Sequence, residues 1–189
     1  TRLAGRVLIA FLPTAVLGLL FYKIIKTYLL ASTNVVTVSL LLGGIFLIVF
    51  EYFHREKESA VDDLSAITVK QAVAIGLFQS IAMIPGVSRA AATIVGGLLL
   101  GLKRKTSVAC SFLLAVPTMV AATGLALIKS SSEFNSSDFG LLAVGFVVSF
   151  LVALITIKFL LNFIRNHTFT GFGVYRILVA IAFWILIRR

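Results

Sequence analysis

Five consecutive residues, Pro85-Gly86-Val87-Ser88-Arg89, concentrate the chemistry of this chain. Proline stops a helix, glycine permits a sharp turn, and a permanently charged guanidinium follows at once. A helix that starts near Arg89 exposes unpaired amides and the positive end of its dipole, which together make an anion site. Ser88 stands at an N-cap-like position, Arg89 has a fork for two oxygens, and Thr93 stands one turn further on the same face. Backbone amides from Gly86 and Val87 join them. Gln79, about two helical turns before the break, is a candidate lining residue, though interhelical hydrogen bonding explains it equally well. Phosphate or carboxylate is the ligand class that these groups fit.

The flanking elements place that site inside a membrane. Residues 71–84 and 90–102 are apolar but too short to cross, since a spanning helix needs about 20 apolar residues. Hydrophobic residues make up 60% of the chain and charged ones 13%, and the mean hydropathy is +1.10. Long apolar stretches run over residues 7–22, 34–53, 107–128 and 139–161, with a shorter one at 173–187. Tyr22, Tyr28, Tyr52 and Tyr175 fall at or near their ends, where interfacial rings belong. The expected fold is all-α: a polytopic membrane bundle of five transmembrane spans plus one re-entrant pair of half-helices at 71–102. The whole of 1–189 reads as a single integral membrane domain.

Arginine at bilayer depth costs roughly 2.5–3.5 kcal/mol even on the milder insertion scale, so a function is expected of it. The bland alternative is neutralisation of a carboxylate within the bundle. All seven acidic residues, however, lie in loops or at span ends, which favours an external anion. A net charge of +10 does not mean nucleic acid, because the cations sit singly or in short groups at span ends, as in Lys103-Arg104-Lys105. Those positions fit lipid headgroups and cytoplasmic anchoring. Cys110 is the lone cysteine, which excludes an internal disulfide or a thiolate metal cluster. His54 and His167 fall in loops away from the hairpin tip and supply no base there. No nucleotide loop, helical His/Glu pair or Ser–His–Asp set is present.

A weak repeat relates Phe11-Leu12-Pro13-Thr14 to Ala115-Val116-Pro117-Thr118, each followed by a glycine (Gly18, Gly124) and a lysine (Lys23, Lys129). It predicts an inverted-repeat architecture with broken helices meeting near the midplane. On that reading a second hairpin precedes Thr1, which is not an initiator methionine. Loops 54–70, 103–106 and 162–172 share one face, carrying Arg55, Lys57, Lys70, Lys103, Arg104, Lys105 and Arg165. Lys23, Lys26, Lys129, Arg188 and Arg189 mark the other. The bias puts the first set in the cytoplasm and the C-terminus outside.

Taken with Thr93-Ile94-Val95-Gly96-Gly97 and Ser111-Phe112-Leu113-Leu114-Ala115-Val116-Pro117, the Pro-Gly-Val-Ser-Arg stretch resembles the bacterial undecaprenyl-diphosphate phosphatases, also called bacitracin-resistance proteins. The resemblance covers essentially the whole chain. It implies a bacterial cell-membrane enzyme that removes the terminal phosphate of a polyprenyl diphosphate lipid, returning the monophosphate carrier to peptidoglycan synthesis. The position of Arg89 would hold the diphosphate, assisted by those of Ser88 and Thr93. A first motif of two glutamates, paired serines and a histidine, with a divalent cation (Mg or Ca), is also implied, and its ligands are not in this chain. Activity from residues 1–189 alone is therefore not expected. Where the family commonly has serine–glycine after the arginine, this chain has Ala90-Ala91. Membrane lipids and a homodimer are the further partners considered. Ser88 is a candidate nucleophile, but a nucleophile on the absent hairpin is the reading favoured. The rival function is a transporter or lipid translocase binding an anion at the midplane; a structural bundle with a headgroup site is a third.

Overall fold

The computed structural model describes residues 2–29, 32–129, 138–166 and 168–187, and Thr1, His167, Arg188 and Arg189 lie outside them. Within the described residues eight α-helices follow one another: α1 (Arg2–Leu20), α2 (Tyr22–Ile24), α3 (Thr33–Phe53), α4 (Val69–Ser80), α5 (Arg89–Leu99), α6 (Arg104–Lys129), α7 (Asp138–Asn166) and α8 (Thr170–Ile187). Among the described residues there is no strand, only an isolated parallel bridge between Val61 and Leu102. Four helices, α1, α3, α6 and α7, are long and apolar enough to cross a membrane, while α4, α5 and α8 fall in a shorter class. Their outward faces carry large apolar side chains such as Leu19, Tyr52, Phe146 and Ile155. Such a surface is at home against hydrocarbon, where each helix satisfies its own backbone.

Side-chain caps set several of the helix starts. Thr68 and Gln71 form a reciprocal capping box at the start of α4, with Gln71 N–H donating to Thr68 Oγ1 at 3.2 Å and Thr68 N–H to Gln71 Oε1 at 2.9 Å. At α6 the cap comes from far along the chain: Glu56 Oε2 accepts from the Arg104 amide at 3.0 Å. Arg104 also grips Glu51 through two nitrogens, at 2.7 and 3.2 Å, and lies over the Phe169 ring. These contacts gather the end of α3 and the starts of α6 and α8 at one pole of the bundle.

The two core clusters explain how the short helices are held. Ala72 and Ile75 of α4 pack with Ala10 of α1 and with Cys110 and Leu114 of α6. On the other side, Ile94, Val95 and Leu98 of α5 pack with Leu47 and Phe50 of α3, Val108 of α6 and Ile164 of α7. Glycines make the closest approaches. A Cβ at Gly76 would collide with the Ala10 carbonyl. One at Gly96 would meet the Phe78 ring at 2.6 Å, and one at Gly97 would meet Ser107 Oγ at 2.7 Å. The paired glycines of α5 thus let α4 and α6 in close.

Helix directions bear on the repeat reading. Arg6 near the start of α1 donates to the Ile67 carbonyl. Thr106 near the start of α6 donates to the Asp62 carbonyl in the same loop, at 2.7 Å. At their far ends Lys129 donates to the Tyr22 hydroxyl at 2.7 Å and sits over its ring. α1 and α6 therefore run parallel, as the shared face of Lys23 and Lys129 implies, and the two Pro-Thr segments are not related to each other by inversion. Two similar stretches reveal a likeness but not a direction.

Candidate functional site

The turn that joins α4 to α5 begins earlier than its proline. Ser80 Oγ donates back to the Gly76 carbonyl at 3.0 Å, and α4 gives way to a 3₁₀ turn over Ile81–Met83. Pro85 then holds Ile84 extended (φ −73°, ψ 119°), as the residue before a proline must be. Gly86 follows with φ +90°, a conformation that side-chain-bearing residues rarely adopt. It also nests against α3, where an added Cβ would lie 2.5 Å from the Val36 carbonyl oxygen. Ser88 caps α5, its Oγ accepting from the Ala91 amide at 3.2 Å. The expected cap position of Ser88 and the start of the helix at Arg89 are both present.

Arg89 is half-buried. Its Nη1 donates to the Ser111 carbonyl of α6 at 3.1 Å. Among the described residues the ion pairs are Lys103–Asp62 and Arg104–Glu51, so no carboxylate neutralises Arg89. Most of its five donors remain open to a ligand.

Two other expected site residues are placed differently. Thr93 is only 1% exposed, and its hydroxyl bonds the Arg89 and Ala90 carbonyls and, at 2.7 Å, Ser111 Oγ. It braces α5 against α6 and does not face a cavity. Gln79 is likewise 1% exposed. Its Nε2 donates to Thr14 Oγ1 at 2.9 Å and Thr118 Oγ1 at 3.3 Å, so it ties together the two Pro-Thr segments of α1 and α6. Interhelical bonding, the alternative reading for Gln79, is what the geometry supports. Replacing Gln79 by Leu is expected to cost about 1–2 kcal/mol of stability, read as a lower melting midpoint in detergent, with the KM of the folded variant unchanged. A selective rise in KM would instead make Gln79 a substrate ligand.

Arg176 of α8 was not singled out by the sequence reading, although an arginine inside an apolar stretch is the same signal that drew attention to Arg89. Its Nη2 donates to the Gly86 carbonyl at 2.7 Å and to the Ser39 carbonyl at 3.3 Å. It lies flat over Gly43, where a Cβ would meet Nη2 at 2.6 Å. α3 and α8 approach closely just beyond, through Gly44 and Gly173. Arg176 and Ser88 stand between two cavities. The one of about 410 Å³ is walled by Leu42, Phe46, Phe78, Ile81 and Val87. The other, about 180 Å³, is walled by Leu160, Ile164, Phe169 and Phe172. Val87 lines the larger cavity, as expected of a residue at the tip. Its amide donates to the Ile84 carbonyl at 3.0 Å within the turn, so it does not point to a ligand.

The groups at this turn are guanidiniums, hydroxyls and backbone groups, a set that suits an anion; two guanidiniums repel a divalent cation, and no carboxylate at the turn offsets them. No group of three or more His, Cys, Asp or Glu side chains placed to hold a metal occurs among the described residues. His54 stacks on Phe50 with centroids 4.7 Å apart, at the pole opposite the tip.

A multi-pass helical membrane protein with a cationic broken helix in its interior is what fold and site define. Comparison with known proteins makes this specific: the family "Bacitracin resistance protein BacA" matches residues 1–182, and the chain belongs to that family. The undecaprenyl-diphosphatase of Sulfurihydrogenibium sp. (strain YO3AOP1) is 50% identical over 185 residues, covering 98% of this chain and 73% of that protein. The undecaprenyl-diphosphatase of Aquifex aeolicus (strain VF5) is 48% identical over 178 residues, 94% of this chain and 69% of that protein. A third, from Methanococcus aeolicus, is 44% identical over 176 residues, 93% of this chain and 68% of that protein.

Proposed function

We propose that the protein hydrolyses undecaprenyl diphosphate to undecaprenyl phosphate and inorganic phosphate in the bacterial inner membrane, recycling the carrier for peptidoglycan synthesis and conferring bacitracin resistance. One observation carries the reading beyond family membership: Arg89 is partly buried beside a capped helix start, with open donors and no internal carboxylate. Electrostatic placement is the main catalytic tool in phosphoryl transfer, where little covalent work falls to the protein. Over the whole reaction the bond between the terminal phosphorus and the bridging oxygen breaks and a water oxygen comes to that phosphorus, whichever nucleophile attacks first. The electron pair leaves with undecaprenyl phosphate, and the proton released by the water passes to a base that the turn residues do not supply. Arg89 holds the terminal phosphoryl oxygens, Ser88 Oγ–H and the backbone of the turn add donors, and Thr93 fixes the start of α5.

A re-entrant placement of α4–α5 with α8 as a fifth span supports this chemistry. The 12 residues of α4 rise about 18 Å, which brings the turn level with Val36 and Ser39 of α3 and within the hydrocarbon. The pole that carries Arg6, Glu51, Arg104 and the loop 54–68 is then cytoplasmic. The test is release of inorganic phosphate by the full-length protein in lipid vesicles supplied with undecaprenyl diphosphate. Stoichiometric phosphate and monophosphate are expected. Translocation of the intact diphosphate without cleavage would favour the transporter reading.

A further inference from the structure

Arg176 is the group that this reading leaves without a task. It is a cation set among apolar walls, and among the described residues no carboxylate pairs with it. Two of its nitrogens are unused: Nη1 makes no protein hydrogen bond, and Nε is buried with no acceptor. A buried guanidinium N–H without an acceptor costs free energy that a ligand oxygen would recover. The space is built for this side chain, since Gly43 leaves room for the guanidinium and Gly86 and Ser39 hold it by their carbonyls.

The setting says which anion. Ser88, Ser39 and Arg176 supply the polar edge of the larger cavity, whose other walls are apolar side chains. A ligand that fills it is anionic at one end and hydrocarbon along the rest, which describes a lipid phosphate and not a free inorganic ion. Arg89 follows Ser88 directly, with its Nη1 bonded to the Ser111 carbonyl of α6. Ser88 stands between the two, lining the cavities and capping the helix that Arg89 opens.

We propose that Arg176 is a second phosphate-binding residue, which holds the lipid-linked phosphate of the substrate and of the monophosphate product while Arg89 holds the terminal one. The prenyl chain starts in the cavity walled by Leu42, Phe46, Phe78 and Ile81. The division of labour rests on the phosphatase reading. It predicts that the two products are bound by different guanidiniums and are separable by mutation.

In the full-length protein, Arg176→Gln is expected to weaken inhibition by undecaprenyl monophosphate by about 10- to 100-fold, the loss that accompanies removal of hydrogen bonds to a charged group. Inhibition by inorganic phosphate stays as in the parent, and Arg176→Lys recovers part of the monophosphate effect because it retains the charge. If Arg176 served only to latch the turn through the Gly86 carbonyl, kcat and both inhibitions would fall together, and that result overturns the proposal. A second measurement uses the unaltered protein: a polyprenyl monophosphate with a photoreactive group beside the phosphate is expected to label α8 around Phe172 and Arg176. Labelling confined to α6 would overturn it. Absence of diphosphate hydrolysis would count against the phosphatase reading alone, because the labelling still reports whether Arg176 binds a lipid phosphate.

Discussion

Arg89→Lys in the full-length protein lowers kcat/KM for polyprenyl diphosphate by about 10²–10³-fold, the range found when one preorganised oxyanion donor is lost. Lysine keeps the charge, but its compact ammonium cannot reproduce a planar fork that bonds the Ser111 carbonyl and two phosphoryl oxygens at once. The loss is expected mainly in kcat, because the developing charge on the transferred group gains most from a fixed donor pair. Phosphate release at the parental rate by this variant would remove Arg89 from the mechanism. The variant is expected to fold, since the Arg89 side chain makes one hydrogen bond to the rest of the protein and no ion pair with the described residues.

The second large effect is expected at Gly86, which has no side chain and contributes only backbone to the proposed mechanism. Gly86→Ala places a methyl 2.5 Å from the Val36 carbonyl oxygen and asks an L-residue to hold φ +90°. Either the turn moves away from α3 or it changes conformation. Both displace the Gly86 carbonyl that Arg176 grips and the Ser88 cap two residues on. A misplacement of about 1 Å costs on the order of 10²-fold in rate when positioning is the catalytic device. Turnover is expected to fall by about that factor while the helical content by circular dichroism stays unchanged. Near-normal turnover would show that the turn tolerates movement and that preorganisation is not its role.

Sequence made some of this site legible because the signals are local. Proline fixes its own φ and keeps Ile84 out of the helical region, glycine permits the left-handed Gly86, and a serine before an apolar run caps α5. Each needs only a few neighbouring residues. For Thr93 and Gln79 the sequence leaves ligand and brace both open, because their partners Ser111, Thr14 and Thr118 are set by helix packing. Arg176 belonged to no local break, so composition passed over it within an apolar stretch. α4 ended at Ser80, ahead of the expected stop, because Ser80 bonds back and the chain tightens before it meets Pro85. Apolar length located the four long helices, whose ends extend a few residues into the flanking loops. Direction came from charge, which set Lys23 and Lys129 on one face, and the contacts of Arg6 and Lys129 agree that α1 and α6 are parallel.

The glycines also show why this short-helix hairpin is held firmly enough to position charge. Gly76 admits α1 to α4, Gly96 admits Phe78, and Gly97 admits Ser107, so α4 and α5 are packed on both sides by backbone-close contacts. Van der Waals contact of this kind is the main driving force for helix association in lipid, where apolar burial contributes little. The Glu51–Arg104 pair and the Glu56 cap at the opposite pole fix where α6 begins. That in turn fixes the height of Ser111 relative to Arg89.

Whether the guanidinium at the α5 start holds the diphosphate is decided by binding of a non-hydrolysable polyprenyl methylene-diphosphonate to the full-length protein and to its Arg89→Gln variant. The parent binds, and the variant loses about tenfold or more in affinity, as removal of charge-assisted bonds requires. Equal affinity in the two proteins would contradict the account, because the guanidinium at the α5 start would then not be what holds the diphosphate.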